Sequence, residues 1–259
     1  MNIIGVIPAR MSASRFPGKP LAKICGIPMI EHVYRRCTMS TVLSDVYIAT
    51  CDDEIIKAVE AFGGKAVMTK DTHQRASDRV AEAVEIIEKQ TGKKIDVVVM
   101  IQGDEPMVFP QMIDMAVAPI IKEKDIFVTN LTARINSNEE HEDFNCIKVV
   151  VDRQFNALYF SRKPIPSFKD LSAQAVLYKQ VCIIPFARDF LFKYSKLEPT
   201  PLERAESIDM LRVLEHGYKV RMVPFDFITF SVDTPEDLQR VELLMKDDLL
   251  NAKYNLSEK

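Results

Sequence analysis

Short hydrophobic runs alternate with amphipathic stretches along the first half of the chain. Runs rich in β-branched residues predict buried parallel strands at 3–7, 46–50 and 97–101. The patterns between them predict helices from Pro28 to Cys37, from Glu54 to Phe62 after an Asp52 cap, and from Asp78 to about Gln90. This order indicates an α/β fold: a doubly wound, mostly parallel sheet with helices on both faces.

The pattern changes in the middle of the chain. Two β-type runs, 147–152 and 156–160, are separated by turn-forming residues and predict a hairpin, and a further strand is expected at 176–185. We therefore expect a single domain over 1–259 with a smaller β-rich lobe inserted at about 145–185.

The last third returns to helical patterning. One helix is predicted from Pro201 to about His216 and an amphipathic one from Pro235 to Lys246, with strands near Val220 and Ile228 between them. The tail, 251–259, is expected to fray.

Composition excludes several classes of protein. The 34 basic and 37 acidic residues nearly cancel, so we expect no binding to nucleic acid and no stable binding to a membrane. The sequence shows no signal-peptide pattern and no apolar run of the ~18 residues needed to cross a membrane. This predicts a cytoplasmic protein. The five cysteines are odd in number and widely spaced, which argues against a disulfide framework or a zinc site.

The loop after the first strand carries the strongest chemical signal. Residues 8–21 read Pro-Ala-Arg-Met-Ser-Ala-Ser-Arg-Phe-Pro-Gly-Lys-Pro-Leu, which combines three cations, Arg10, Arg15 and Lys19, with a Pro-Gly turn. Such a loop can wrap a polyphosphate with side-chain charge and backbone N–H groups. The spacing is not that of a Walker A loop. A solvated basic loop is the alternative interpretation.

Two acidic residues follow other predicted strands. Asp104 comes directly after the strand at 97–101, and Asp233 precedes a helix start. Ligands of open α/β sheets bind beyond the carboxyl ends of the strands, where an acid facing a phosphate loop is suited to hold magnesium. Asp233 is equally compatible with a purely structural helix cap.

Five separated segments together resemble a known family. They are PARMSASRFPGKPL, IQGDEP, ALYFSRKPIP, PLERAE and VDTPEDL, and in this order they resemble the CMP-Kdo synthetases, the 3-deoxy-manno-octulosonate cytidylyltransferases. The resemblance implies a Rossmann-like sheet of the nucleotide-diphospho-sugar transferase type, in a homodimer whose β-rich lobe serves dimerisation and sugar binding. It implies that the anomeric hydroxyl of an acidic sugar attacks the α-phosphate of CTP and releases pyrophosphate, with Mg2+ as cofactor.

The resemblance also implies roles for individual residues. Catalysis falls to Arg10, Lys19, Asp104 and Asp233, of which Asp104 and Asp233 are the metal ligands. The expected nucleotide-binding residues are Pro8, Ala9, Arg10, Ser14, Arg15, Lys19, Ser77, Asp78, Arg79 and Gln102. The expected sugar-binding residues are Gln102, Arg162, Gln180, Glu203, Asp209 and Arg75.

Two segments depart from the family pattern. Residues 73–79 read His-Gln-Arg-Ala-Ser-Asp-Arg where the family has His-x-Ser-Gly-Thr-Glu/Asp-Arg, and Gln180 stands about where the family has a histidine. The acceptor therefore stays open between Kdo, an amino-substituted Kdo and another 2-keto-3-deoxy sugar acid. Two other functions also stay open: a nucleotidyltransferase that uses UTP or GTP with a sugar phosphate, and a catalytically decayed binding subunit.

Overall fold

The computed structural model describes residues 1–12, 16–167, 175–226 and 230–255. From the amino terminus the chain forms β1 (Ile3–Pro8), a 3-10 turn (Lys19–Leu21), β2 (Lys23–Ile24), β3 (Ile27–Pro28), α1 (Met29–Cys37), β4 (Asp45–Thr50), α2 (Asp53–Ala61), β5 (Ala66–Met68), α3 (Ala76–Thr91), β6 (Val97–Ile101) and α4 (Pro110–Lys122). It continues with β7 (Thr129–Arg134), α5 (Asn138–Glu142), β8 (Lys148–Val151), β9 (Ala157–Ser161), β10 (Tyr178–Val181), β11 (Ile183–Ala187), α6 (Arg188–Tyr194), α7 (Pro201–Glu206), α8 (Asp209–Glu215), β12 (Arg221–Pro224), α9 (Pro235–Lys246) and α10 (Asn251–Tyr254).

The chain divides into two compact units. Unit 1 comprises Met1–Asp114 and Ile228–Lys259, and unit 2 comprises Met115–Phe227. The lobe expected at about 145–185 lies within unit 2, and its role in dimerisation and sugar binding stays a prediction. In the part of the chain that the structure describes, no helix combines the length and the apolarity needed to cross a membrane.

Unit 1 is built on a parallel sheet. Its strands pair in the order β6-β1-β4-β5, and every residue of β1 is buried. Pairing in register sets Pro8 beside Ala49 and Val6 beside Met100, so the carboxyl ends of β1, β4 and β6 share one edge. The predicted parallel core is confirmed, and this edge receives the segments that begin at Ala9, Cys51 and Gln102.

Unit 2 contains a mainly antiparallel sheet in the order β12-β7-β10-β8-β9. The predicted hairpin is confirmed as β8 and β9, which pair antiparallel with Val149 opposite Phe160. The single strand expected at 176–185 is wrong, because a bend at Cys182 separates β10 from β11. The sequence pattern missed α4 and β7, and the strand expected near Ile228 lies outside the described residues.

The helix predicted from Pro201 to about His216 is also wrong, because two helices occupy this range. Ser207 adopts a left-handed conformation with φ 54° after α7, and Ile208 is extended before α8 begins. The Glu206 carbonyl at the end of α7 accepts a hydrogen bond from Arg162 Nε at 2.7 Å. This tertiary contact therefore gives the carbonyl of the last helical residue the hydrogen-bond donor that the next turn of a continuing helix would otherwise provide.

Candidate active site

Unit 1 contains a cavity of about 290 Å³ at the carboxyl edge of its sheet. Nine of the residues predicted from the sequence to form the site line this cavity: Pro8, Ala9, Arg10, Lys19, Arg75, Arg79, Gln102, Asp104 and Asp233. They come from four distant segments of the chain, and the wall combines several cations with two carboxylates.

An ion cluster links the basic loop to both predicted metal ligands. Lys19 Nζ lies 2.9 Å from Asp104 Oδ2, 3.4 Å from Asp233 Oδ1 and 2.9 Å from the Val232 carbonyl oxygen. The side chain of Lys19 is 14% exposed and those of the two aspartates are each 28% exposed. Two acids that are 129 residues apart in the chain therefore converge on one cation position.

Helix α9 positions Asp233 without using its carboxylate as a cap. The cap residue is Thr234, whose hydroxyl accepts from the Asp237 N–H, while Asp237 Oδ2 accepts from the N–H groups of Asp233 and Thr234. The Val232 N–H also donates to the Asp104 carbonyl at 2.9 Å. The backbone thus holds both aspartates in one place, and the capping role that the sequence left open for Asp233 belongs to its neighbour.

The basic loop is held in shape by its own turn and by β4. Gly18 is left-handed with φ 75°, a conformation that glycine adopts without strain, and its N–H donates to the Met11 carbonyl. The Met11 N–H donates to Asp52 Oδ2 at 2.8 Å. Arg10 is exposed at the cavity, and the predicted nucleotide-binding residues Ser14 and Arg15 lie outside the described residues.

A second wall of the cavity comes from the segment before α3. His73 Nε2 lies 2.5 Å from Glu82 Oε2, and the same oxygen accepts from the Lys70 N–H. Burial raises the pKa of the Glu82 carboxyl, but these hydrogen bonds outweigh it and hold the pKa below its ordinary value. The anionic carboxylate therefore fixes His73 at the cavity wall.

Arg79 is 3% exposed, and its Nη1 donates to Thr69 Oγ1 and to the Lys70 carbonyl. It joins α3 to the segment after β5 while it contributes positive charge to the wall.

The structure gives Ser77 a different position from the one expected. Helix α3 begins at Ala76 rather than at Asp78, so Ser77 shares a buried face with Val80, Val84 and other core residues. Ser77 is 0% exposed, which argues against direct contact with a nucleotide. Asp78 is half-buried in the same first turn and is not among the residues that line the cavity.

Sequence reasoning missed three contributors to the site. Asp52 supports the basic loop, and the Val232 carbonyl accepts from Lys19. Gly103, which follows β6, lets the chain pass close to the end of β1. A Cβ at Gly103 would lie 3.2 Å from the Pro8 carbonyl oxygen and from a methyl group of Ile30. The position of Asp52 directly after β4 was a usable signal, because β4 ends at the same edge as β1.

The remaining predicted sugar-binding residues belong to unit 2, and Arg162 and Glu203 each make several side-chain hydrogen bonds there. The Arg162 guanidinium donates to the carbonyls of Phe144, Glu206 and Ser207. Glu203 is 1% exposed, and its two carboxylate oxygens accept from Arg212 Nη2 at 2.6 Å and Nε at 2.7 Å. The carboxylate forms a buried, bidentate ion pair, which argues against the role predicted for Glu203 as a ligand of sugar hydroxyls; that role stays a prediction.

Gln180 and Asp209 are both partly exposed in unit 2. Gln180 Nε2 donates to Asn130 Oδ1 at 2.6 Å, and Asn130 Nδ2 donates to the carbonyls of Leu131 and Val181. Because those carbonyls can only accept, the orientation of both amides is determined. Gln180 therefore uses a donor toward Asn130 and keeps its carbonyl oxygen as an acceptor. The backbone carbonyl of Asp209 accepts from the Tyr194 hydroxyl.

The residues around Lys19 fit a divalent cation. Carboxylate and carbonyl oxygens are the ligands that hard ions such as Mg²⁺ prefer, and here Asp104, Asp233 and the Val232 carbonyl already converge on one positive charge. Within the described ranges, no group of three or more His, Cys, Asp or Glu side chains is arranged to hold a metal. A site with two carboxylates needs further oxygen ligands from a substrate or from water, which is the usual arrangement for magnesium.

Comparison with known proteins agrees with the charge pattern of this cavity. A family model described as Cytidylyltransferase matches residues 4–221. The chain is 43% identical over 254 residues to the 3-deoxy-manno-octulosonate cytidylyltransferase of Solibacter usitatus, covering 98% of each chain. It is 42% identical over 251 residues to the protein of the same name from Geobacter metallireducens, covering 93% of this chain and 96% of the relative.

A solved structure supports the same grouping. It is described as CMP:2-keto-3-deoxy-manno-octonic acid synthetase complexed with CTP, and it matches with a TM-score of 0.88 at 37% identity. The match covers 96% of this chain and 100% of that chain.

Proposed function

The chain belongs to the family of 3-deoxy-manno-octulosonate cytidylyltransferases, and on this premise we propose that it transfers CMP from CTP to the anomeric hydroxyl of Kdo or a close relative, releasing pyrophosphate. The observation that carries the proposal is the cavity in unit 1, where Arg10, Lys19 and Arg79 oppose Asp104 and Asp233. A triphosphate needs cations, and its metal ion needs the carboxylates.

The proposed mechanism depends on positioning and on charge neutralisation. Arg10 and Lys19 bind the triphosphate and stabilise the negative charge that develops on the leaving pyrophosphate. The backbone around Gly18 supplies further donors, while Gln102 at the end of β6 orients the reacting groups. Asp104 and Asp233 would hold Mg²⁺, which would supply charge stabilisation to the phosphates. The sugar hydroxyl attacks the α-phosphorus and loses its proton to water, while the bond between the α-phosphorus and the pyrophosphate oxygen breaks and pyrophosphate departs in line.

The convergence of these residues bears on the two other functions that the sequence left open. A decayed binding subunit has no need for two acids held by backbone contacts around one cation, so intact geometry favours an active enzyme. Transfer from UTP or GTP to a sugar phosphate is disfavoured by relatives of about 40% identity that carry the CMP-Kdo synthetase name.

The acceptor is an acidic 2-keto-3-deoxy sugar, and one observation supports an amino-substituted form as a second candidate. The carbonyl oxygen of Gln180, which its bond from Nε2 to Asn130 leaves as an acceptor, would complement an ammonium or hydroxyl donor. A histidine at this position, in one of its two neutral tautomers, would present an N–H donor where Gln180 has an acceptor oxygen. Arg162 and Asp209 remain proposed contacts of the sugar.

We also propose that the enzyme is a homodimer and acts in the cytoplasm. Strand β9 is an edge strand of the sheet in unit 2, and Leu158 on it is 62% exposed. An exposed apolar side chain on an edge strand supports burial against a second subunit.

Pyrophosphate release tests the proposed function. With Mg²⁺ present, each of CTP, UTP, GTP and ATP is incubated with Kdo, an amino-substituted Kdo and a panel of sugar phosphates. We expect release with CTP and a keto-sugar acid, whereas release only with a sugar phosphate would overturn the assignment. Asp104→Asn should lower kcat by at least ~100-fold, while the exposed Asp125→Asn serves as the control and should match the wild type.

A further inference from the structure

The ammonium group of Lys19 occupies the position that a divalent cation would take. Its three N–H groups have three oxygen partners, on Asp104, Asp233 and the Val232 backbone. The side chain is 14% exposed and those of the two aspartates are each 28% exposed, so solvent screens the cluster only in part. With Lys19 in this place, one of the two carboxylate charges is already neutralised.

A metal ion and the ammonium cannot share these oxygens closely. Mg²⁺ binds oxygen at about 2.0–2.1 Å, well inside the distances at which Lys19 now approaches the same carboxylates. A divalent ion between the aspartates would lie within a few ångströms of a like charge in a partly buried setting, where repulsion is strong. The carboxylates therefore bind either Lys19 or the metal tightly, but not both.

A triphosphate removes this conflict because it offers Lys19 another anionic partner in the same cavity. The side chain of lysine is long and flexible, so its head group can move from the aspartates to a phosphate while the backbone of the loop stays in place. We infer that Lys19 keeps the divalent-cation site closed in the free enzyme and opens it when nucleotide binds. The metal then enters with the nucleotide or after it. This inference rests on the proposed function of the same cavity.

Binding of Mn²⁺ to the enzyme without nucleotide tests this role directly. Mn²⁺ is the probe, and free ion is measured by electron paramagnetic resonance. Lys19→Met should bind Mn²⁺ at least ~10-fold more tightly than the wild type, because the competing charge is gone. Lys23→Met is the matched control, because Lys23 lies four positions from Lys19 and is an exposed residue of β2. It should behave as the wild type does.

Two further variants identify the site and the charge. Lys19→Arg keeps a cation and should bind Mn²⁺ as weakly as the wild type. Lys19→Met combined with Asp104→Asn should lose the tight binding, which assigns the ion to this pair of acids. Circular dichroism establishes that each variant is folded. Equal Mn²⁺ affinity in Lys19→Met and Lys23→Met would overturn the inference.

The same titration with a non-hydrolysable CTP analogue completes the test. We expect the analogue to increase the affinity of the wild type for Mn²⁺ by much more than that of Lys19→Met. An equal increase in both proteins would also contradict the proposed role. Turnover of the wild-type enzyme is measured separately. If the enzyme is active but the CTP analogue does not increase its affinity for Mn²⁺, the inference about Lys19 is wrong and the proposed function is unaffected.

Discussion

Asp52 is the residue that connects the basic loop to the parallel sheet. It lies directly after β4 at the N-cap position of α2, yet its carboxylate makes no cap bond and accepts instead from the Met11 N–H. The loop carries Arg10 and Lys19, so the geometry of two proposed triphosphate ligands depends on a residue outside the loop. A charged acceptor holds a backbone donor more firmly than a neutral one.

Asp52→Ala should therefore weaken both nucleotide binding and the fold. We expect KM for CTP to rise about 3- to 10-fold, equivalent to about 1 kcal/mol, with a comparable loss of unfolding free energy. Steady-state kinetics and urea unfolding measure the two effects. Asp53→Ala is the control, because Asp53 is an exposed acid in the first turn of the same helix. Equal KM values in the two variants would contradict the positioning role.

At the scale of elements, the N-terminus of α9 shows how one short motif serves both stability and the site. The reciprocal bonds between Thr234 and Asp237 stabilise the first turn, and the same Asp237 oxygen fixes the Asp233 N–H. Val232, Val241 and Met245 pack into an apolar cluster with Ile24 and Met29. The helix is therefore anchored at both its cap and its buried face, and Asp233 is oriented by the cap.

Thr234→Ala tests this dual role. Loss of the cap should cost about 1 kcal/mol of unfolding free energy. It should also reduce CTP-dependent turnover, because the Thr234 hydroxyl no longer holds the Asp237 carboxylate that accepts from the Asp233 N–H. Ser137 provides the comparison, since its side chain caps α5 by accepting from the Glu140 N–H. Ser137→Ala should lose similar stability and keep its activity. Unchanged turnover in Thr234→Ala would show that the cap does not orient Asp233.

At the scale of the whole molecule, Tyr254 near the C-terminus packs against residues 24–36 within unit 1. Arg36 Nε donates to the Tyr254 hydroxyl, which lies 2.8 Å from His32 Nδ1, and His32 Nε2 lies 2.7 Å from the Ile24 carbonyl. Because the carbonyl can only accept, Nε2 carries the proton and Nδ1 accepts from Tyr254. The expected fraying of 251–259 is wrong for 251–254, which form α10; residues 256–259 lie outside the described residues.

This buried histidine predicts how stability depends on pH. Burial, with smaller effects from neighbouring charges, lowers the pKa of His32 from 6.5 to about 4. Below pH 6.5 the unfolded chain binds a proton that the folded chain binds only near pH 4, so stability falls as pH decreases between these values. The contribution of His32 should be about 2 kcal/mol between pH 7.5 and 5.

Urea unfolding of wild type and His32→Gln at several pH values measures this contribution. The variant should lose stability less steeply as the pH is lowered, whatever its stability at pH 7.5. The exposed His216→Gln is the control and should keep the wild-type dependence. Identical pH dependence in all three proteins would exclude His32 as the source.

Local patterns in the sequence were enough to predict the parallel core, the hairpin and α9. Hydrophobic runs of strand length define β1, β4 and β6, and their shared direction brings the segments after them to one edge. For the same reason the opposed charges of the basic loop and Asp104 could be anticipated. These features depend on the spacing of hydrophobic side chains along a strand or helix and on short turns, and both are determined by residues that are close in sequence.

Tertiary structure decided the features that depend on distant partners. Arg162 meets the end of α7, so the predicted long helix becomes two, and Arg212 pairs with Glu203, which engages both oxygens of a carboxylate that was predicted to bind the sugar. The contacts of Lys19 with Asp104 and Asp233, on which the proposed competition with a metal ion rests, likewise appear only when three remote segments are packed together. A side chain has several chemically suitable partners along the sequence, and only packing in three dimensions selects among them.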